Sequence, residues 1–190
     1  MIINKIKNKN RTDLAIMFGQ LGFEKGAEIG VRRGEYSEVL CLRIKSLKKL
    51  YSVDPWDLVY KDPRSHSEGI TRQESYYQQA IARLSKYPVC EIIKKTSLEA
   101  VRDIPYESLD FVYIDGSHTF DYVMTDIIEW SKRVKRGGIV SGDDYKHHRY
   151  GDVITPVNAY VQAHRIETLN IFEPLETDSY PTPQWWFVKQ

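Results

Sequence analysis

The sequence predicts an α/β fold: a mostly parallel, doubly wound sheet with helices on both faces and a late antiparallel strand. Apolar runs of strand length alternate with amphipathic segments of helix length along most of the 190 residues. This alternation is typical of a parallel sheet covered by helices. The last two apolar runs are too close for a crossover helix, so they should pair antiparallel as a hairpin-like edge. The length suits one domain, 1–190.

The elements follow from short apolar runs and from apolar residues at helical spacing. Turn residues such as Pro55 and Gly116 end two of the runs. Strands are predicted at 27–31, 49–54, 89–94, 109–115, 139–141, about 168–172 and 184–188. Helices are predicted at 35–47, about 70–86, 97–101, about 119–134 and about 152–164.

Two segments stand apart from this pattern. Residues 1–20 are interpreted as an N-terminal arm or first amphipathic helix, because the first eleven residues are basic and lack the apolar stretch of a signal peptide. Residues 56–77 begin as a long polar loop that bears aromatic residues. Loops of this length often act as lids over a bound ligand, and we interpret this segment as a candidate lid. The alternative is an ordinary mobile loop.

The charge, apolar runs and cysteines of the chain limit the kinds of partner that we expect it to bind. Lys and Arg total 27 and Asp and Glu 26, a net charge of +1, so nothing favours nucleic acid or a membrane surface. No apolar run reaches the ~20 residues of a membrane span. Cys41 and Cys90 lie in apolar stretches and are expected to be buried free thiols. We therefore expect a cytoplasmic protein whose partner, the acceptor of its reaction, is a small molecule. Whether the protein forms a homo-oligomer stays an open question.

The loop after the first predicted strand favours one type of nucleotide. It runs from Glu28 to Ser37 with glycines at positions 30 and 34, which allow a tight turn and a close approach to a ligand. It lacks the G-x-G-x-x-G triplet of dinucleotide sites, and its carboxylates would repel a pyrophosphate. S-adenosylmethionine carries no phosphate and has two cationic groups. Asp54 ends the next strand and could accept hydrogen bonds from ribose hydroxyls. The alternative is that the glycines serve tight turns only and that Asp54 is a helix cap.

Ligands of open α/β sheets bind beyond the carboxyl ends of the strands. Asp115, Asp143 and Asp144 end adjacent predicted strands, and three crowded carboxylates repel one another unless a cation joins them. Oxygen ligands suit Mg²⁺, Mn²⁺ or Ca²⁺. The alternative is that Asp143 and Asp144 are loop or capping residues without an ion.

His118 is the candidate general base, since imidazole titrates near neutral pH. Its alternative role is capping or support.

Four segments together resemble the successive motifs of class I S-adenosylmethionine-dependent methyltransferases, which have a Rossmann-like fold. These segments are Glu28–Gly34, Ser52–Trp56, Phe111–His118 and Gly137–Tyr145. They are most similar to the group known as the methyltransferase-domain family, and the resemblance covers about Gly26 to Tyr145. It implies the following cofactor-site residues: Glu28 and Gly30 near the methionine part; Asp54 on the ribose; Thr96 or Ser97 near the adenine; and Asp115 where cofactor and substrate meet. Gly34 and Ser37, of the same loop as Gly30, are also expected to bind the cofactor.

The resemblance also implies a reaction. The aspartate trio is similar to the metal site of catechol-type and sugar O-methyltransferases, although the sugar-modifying relatives usually have Asp-Gly-Asp where this chain has Asp115-Gly-Ser-His118. The leading hypothesis is an S-adenosylmethionine-dependent O-methyltransferase, with Asp115 and His118 catalytic and Mg²⁺ a candidate cofactor. Its acceptor would be a sugar or secondary metabolite. The alternatives are a nicotinamide-dependent oxidoreductase, disfavoured by the missing third glycine, and a non-catalytic cofactor-binding protein.

Overall fold

The computed structural model describes residues 1–57, 69–148, 151–179 and 181–190. Most of the predicted lid, residues 58–68, lies outside the described residues. The strands are β1 (Ile2–Lys7), β2 (Lys25–Ile29), β3 (Lys49–Asp54), β4 (Cys90–Lys94), β5 (Leu109–Ile114), β6 (Val134–Gly142), β7 (His147–His148), β8 (Gly151–Asp152), β9 (Thr168–Glu173) and β10 (Gln184–Val188). The helices are α1 (Arg11–Gln20), α2 (Glu35–Arg43), α3 (Gly69–Leu84), α4 (Ser97–Ala100), α5 (Phe120–Ser131) and α6 (Ile154–Ala163).

Eight strands form one sheet in the order β1-β9-β10-β6-β5-β2-β3-β4, and β7 pairs with β8 separately. Every pair in the large sheet is parallel except those of β10, which runs antiparallel to both β6 and β9. The predicted mostly parallel sheet with a late antiparallel strand is therefore confirmed. The prediction that the last two strands form an edge was wrong, because β10 lies between β6 and β9 and β1 covers β9.

Helices cover both faces of the sheet, as predicted. Alternate residues of β5 point to opposite faces. Phe111 and Tyr113 belong to a core cluster that contains residues of α1 and α2. Val112 and Ile114 belong to a second cluster, which contains residues of α5 and α6. The doubly wound arrangement thus places a separate apolar core on each side of the same central strand.

The N-terminal segment is an integral part of the sheet and of one core. Residues 2–7 pair in parallel with β9, from Ile2–Thr168 to Lys7–Glu173. This strand was not predicted, because the segment is basic and the first two isoleucines of β1 stay exposed. Asn10 then caps α1, and Phe18 is fully buried with its ring 4.5 Å from that of Phe111. The expectation of an arm was therefore wrong for 2–7, and the helix expected within 1–20 is present.

Two further expectations differ in detail. Strand β6 spans nine residues, whereas the glycine pair at 137 and 138 predicted a turn before a three-residue strand. The amide of Gly137 donates to the carbonyl oxygen of Lys189 at 2.8 Å, which keeps the backbone paired through the glycines. Cys41 and Cys90 are free, as expected, but only half-buried. In the part of the chain that is described, no helix is both long and apolar enough to cross a membrane.

The buried position of α1 predicts a large effect of truncating its core residue. Phe18→Ala should lower the free energy of unfolding by about 3–5 kcal/mol, because it removes a fully buried aromatic ring and leaves a cavity. Leu21→Ala, at the end of the same helix where the side chain is 55% exposed, should cost less than ~1 kcal/mol. Urea denaturation followed by circular dichroism measures both. Equal, small effects would mean that α1 does not pack on the sheet.

Candidate functional site

A cavity of about 460 Å³ opens at the carboxyl ends of β2, β3, β5 and β6. This is the edge at which open α/β sheets bind their ligands. Eight sequence-predicted site residues line it: Glu28, Gly30, Asp54, Ser97, Asp115, His118, Asp143 and Asp144. Three others do not: Gly34, Ser37 and Thr96.

Glu28 is a buried acid at the floor of this cavity. Its carboxylate accepts a hydrogen bond from Ser37, whose hydroxyl is 2.6 Å from that of Ser52. Burial raises the pKa of Glu28 well above its usual value, and the Ser37 hydrogen bond offsets part of that rise. Ser37 lies behind Glu28, because α2 turns its first residues toward the sheet. It therefore supports Glu28 from outside the cavity and does not itself line it, unlike the expected position beside the cofactor.

The two glycines of the first loop have different roles. Gly30 has a φ of 93°, and a Cβ there would lie 2.0 Å from the carbonyl oxygen of Asp115. Only glycine lets the β2 and β5 strand ends come this close. Gly34 begins α2 with a φ of 77°, and a Cβ on it would meet Leu84 of α3 at 3.0 Å. Gly34 therefore serves the turn and helix packing, not the cavity as expected.

Asp54 both organises the next loop and lines the cavity. Its two oxygens accept backbone N–H groups of Arg32 at 2.9 Å and Trp56 at 2.8 Å. Burial raises the pKa of Asp54, and these amides offset part of the rise. The indole of Trp56 in turn donates to the carbonyl oxygen of Arg32 at 2.6 Å. Asp54 thus holds the backbone of two loops and also faces the cavity. No helix begins in residues 55–57, which follow it, so these contacts are not a helix cap.

At the third strand end the structure distinguishes Thr96 from Ser97. Thr96 is half-buried and caps α4 through a reciprocal capping box with Glu99, which directs its hydroxyl to the helix end, and it does not line the cavity. Ser97 lines the cavity and donates to Asp126, while the indole of Trp130 donates to the Ser97 hydroxyl at 2.8 Å. Burial raises the pKa of Asp126 to about 7.

Asp115, His118 and Asp144 form a group of three titratable side chains that could hold a metal ion. One ligand atom from each lies within 4.8 Å of the others. The Nε2 atom of His118 is 2.8 Å from an Asp144 oxygen and 3.7 Å from an Asp115 oxygen. Asp144 reaches the ring from a backbone conformation with a φ of 58°. This arrangement can hold either a proton or a cation between two carboxylates.

The protonation of this group follows from burial and pairing. Burial and the charges of neighbouring aspartates raise the pKa of Asp115 to about 7, although His118 lowers it in part. Burial alone would lower the pKa of His118, but its contacts with the carboxylates of Asp115 and Asp144 prevail and raise it to about 9. Burial likewise opposes the ionisation of Asp144, yet the His118 contact lowers its pKa to about 2. The imidazolium form therefore dominates at neutral pH, unlike the near-neutral titration expected from sequence.

Asp143, the remaining member of the predicted trio of aspartates, lies outside this group. One of its oxygens accepts hydrogen bonds from Thr182 at 2.7 Å and from Gln184 at 3.1 Å. Gln184 is the first residue of β10 and Thr182 lies two residues before it, so both partners are far along the chain. The pairing of β10 with β6 brings them to Asp143. In the described part of the chain, the group that could hold an ion contains His118 in place of Asp143.

Arg11 is a cavity residue that the sequence did not indicate. It is the first residue of α1, and its side chain is only 12% exposed. Its guanidinium lies 5.2 Å from the centre of the Tyr36 ring and 4.0 Å from an oxygen of Asp143. A basic N-terminal stretch gave no signal that this one residue would turn into the cavity.

Known proteins share this architecture. The O-methyltransferase from Bacillus cereus, solved in complex with SAH, has a TM-score of 0.67 at 13% identity and covers 94% of this chain and 80% of its own. TomG of Streptomyces achromogenes, an O-methyltransferase involved in tomaymycin synthesis and solved with SAM, has a TM-score of 0.68 at 15% identity, covering 95% and 79%. An rRNA methylase from Streptococcus thermophilus has a TM-score of 0.66 at 16% identity, covering 95% and 97%. The fold is thus the Rossmann-like fold of class I methyltransferases.

The sequence match is more specific. A family model described as a methyltransferase domain matches residues 27–145, so the chain belongs to the methyltransferase-domain family. The uncharacterized protein R132 of Acanthamoeba polyphaga mimivirus is 26% identical over 129 residues, which are 68% of this chain. The match spans 55% of that relative.

The buried Asp126 beneath Ser97 predicts a pH-dependent stability. The folded protein holds the Asp126 proton up to a pKa of about 7, whereas an unfolded Asp releases it near ~3.9. Ionisation between pH 4 and 7 therefore favours the unfolded state, and stability is lost as pH rises through this window. Asp126→Asn should remove this loss, so the variant should gain on the wild type by a few kcal/mol, roughly, from pH 4 to 7.

Chemical denaturation at a series of pH values measures this difference. Asp121→Asn, which removes an exposed carboxyl from the same helix, is the matched control and should follow the wild-type profile. Parallel profiles for Asp126→Asn and the wild type would contradict the assignment.

Proposed function

We propose that this protein transfers the methyl group of S-adenosylmethionine to an oxygen atom of a small hydroxylated molecule. The observation that carries the proposal is the meeting of the Glu28, Gly30 and Asp115 strand ends in one cavity. A buried acidic floor suits the ammonium and sulfonium groups of this cofactor and disfavours a pyrophosphate. Membership of the methyltransferase-domain family supports the same reaction class.

Each part of the cofactor has residues that would hold it. Glu28 and the turn at Gly30 would face its methionine part, because they lie beside Asp115, where the acceptor would enter. Asp54 and Ser97 line the cavity at the next two strand ends and would face the ribose and the adenine. When bound, S-adenosylmethionine supplies an electrophilic methyl group. The protein then aligns the acceptor oxygen with that group and excludes water.

The acceptor side favours an oxygen nucleophile assisted by a divalent cation. Asp115, His118 and Asp144 together offer two carboxylates and an imidazole within 4.8 Å, a donor set that fits such an ion. Bound there, it would lower the pKa of a coordinated hydroxyl. Because imidazole belongs to the set, Mn²⁺ or Fe²⁺ suits it better than the Mg²⁺ expected from three carboxylates. A sugar or secondary metabolite is the proposed acceptor, and TomG, named for tomaymycin synthesis, supports that class.

Cofactor choice is tested by calorimetric titration with S-adenosylhomocysteine and, separately, with NAD⁺. We expect binding of the first and none of the second. Gly30→Ala should weaken S-adenosylhomocysteine binding at least about tenfold, since the added Cβ would lie 2.0 Å from the Asp115 carbonyl oxygen and must displace the loop.

Gly137→Ala is the matched control, because Gly137 also has a positive φ, 80°, but has no atom within 4 Å of the added Cβ. It should bind as the wild type does. Binding of NAD⁺ without S-adenosylhomocysteine would refute the methyltransferase proposal in favour of an oxidoreductase.

The cation is tested by electron paramagnetic resonance with Mn²⁺, which needs no acceptor. We expect the wild type to bind Mn²⁺ and His118→Ala to bind it at least about tenfold more weakly. His147→Ala removes a neighbouring imidazole that is 72% exposed and 3.1 Å from Asp152, and should leave Mn²⁺ binding unchanged. With an acceptor in hand, chelator should abolish transfer and Mn²⁺ should restore it.

Two results would count against these assignments. Full transfer activity in chelator would remove the cation from the mechanism. Unchanged transfer rates in Asp115→Asn and His118→Ala would remove both residues from catalysis, whether or not an ion is bound.

A further inference from the structure

The floor of the cavity poses an electrostatic problem for the proposed cofactor. Glu28, Asp115, Asp143 and Asp144 all line it, and they complement the sulfonium and ammonium groups. S-adenosylmethionine, however, also carries a carboxylate on the same amino-acid group. A carboxylate placed among acidic side chains is repelled unless a cation accompanies it. The cavity therefore needs one positive group close to Glu28.

Two arginines are found among the described residues that line the cavity, Arg11 and Arg32, and they face different parts of it. Arg32 belongs to the loop held by Asp54. Its guanidinium donates to the Tyr76 hydroxyl at 3.2 Å and lies 5.0 Å from the centre of that ring. Arg32 is thus directed toward α3, at the nucleoside end.

Arg11 is directed to the acidic floor. It lies over the fully buried Tyr36, whose hydroxyl donates to the Arg11 carbonyl oxygen at 2.9 Å. Its guanidinium is 4.0 Å from Asp143. Burial opposes the charge of Arg11, but the surrounding groups, Asp115 and Glu28 among them, outweigh burial and raise its pKa. Backbone, ring and carboxylate hold the guanidinium beside the position where the methionine part would lie.

We propose that Arg11 receives the carboxylate of S-adenosylmethionine and so makes the site specific for the intact amino-acid group. The inference rests on the proposed function and deepens it. A guanidinium presents paired N–H donors that match a carboxylate, which a lysine ammonium does not. The specificity residue would then come from α1, outside the residues 27–145 that the family model matches.

The test compares two ligands that differ in the carboxylate alone: S-adenosylmethionine and decarboxylated S-adenosylmethionine. Their dissociation constants are measured by calorimetry for the wild type, Arg11→Gln, Arg11→Lys and Arg43→Gln. Arg11→Gln should weaken S-adenosylmethionine binding about 10- to 100-fold. It should leave the decarboxylated ligand unchanged or bound more tightly, because a like charge is removed from the site.

Two further variants separate a specific carboxylate contact from a general effect of charge. Arg43→Gln removes an exposed positive charge at the end of α2 and should leave both constants within about twofold. Arg11→Lys keeps the charge and loses the paired donors, so it should show a smaller loss, again confined to the ligand with the carboxylate. It also serves as the test if thermal denaturation shows that Arg11→Gln does not fold.

The ratio of the two constants decides the outcome. Equal weakening of both ligands in the Arg11 variants would overturn the proposal, because Arg11 would then only support Tyr36 and Asp143. An unchanged ratio with unchanged affinities would overturn it as well. If the wild type binds neither ligand, the proposed function fails together with the inference, a result distinct from failure of Arg11 alone.

Discussion

The site depends on how neighbouring strands end against one another. The amide of Gly30 donates to the Val53 carbonyl oxygen, that of Asp115 to Ile29, and that of Asp143 to Ile114. The backbone therefore leaves these neighbouring strands at the same level of the sheet. The missing side chain of Gly30 is what allows the closest of these approaches. A cavity lined by residues from four strands follows from this backbone alignment.

Burial of acidic groups gives that cavity its chemical character. Glu28 and Asp115 both have raised pKa values, and desolvation is the largest cause for each. Such groups favour any ligand that brings positive charge to them, because the ligand replaces the proton that burial otherwise retains. His118 already acts in this way toward Asp144, whose pKa it lowers. A cationic cofactor and a divalent cation would each compensate buried negative charge, at two ends of one site.

The sequence predicted those parts of the fold that depend on apolar periodicity. The strands from β2 to β5 and the antiparallel pairing of β9 with β10 were predictable because burial dictates their composition. Strand β1 was missed because edge pairing needs backbone hydrogen bonds and little burial. In the site, Glu28, Asp54 and Asp115 could be placed from strand ends alone. The grouping of His118 with Asp115 and Asp144 could not, since it depends on the geometry of the loops after β5 and β6. The contacts that Thr182 and Gln184 make with Asp143 could not be predicted either, because they come from a distant part of the chain.

These contacts divide the site between two parts of the chain. The family match covers residues 27–145, which supply the strand ends common to methyltransferase folds. Segments on either side of that range complete the sheet through β1, β9 and β10 and bring Arg11 and Thr182 to the cavity wall. Both side chains act on Asp143, one by charge and one by hydrogen bonding. The shared motifs therefore form the strand ends of the cavity. The segments before residue 27 and after residue 145 determine the charges around it, and that role could be recognised only in the folded protein.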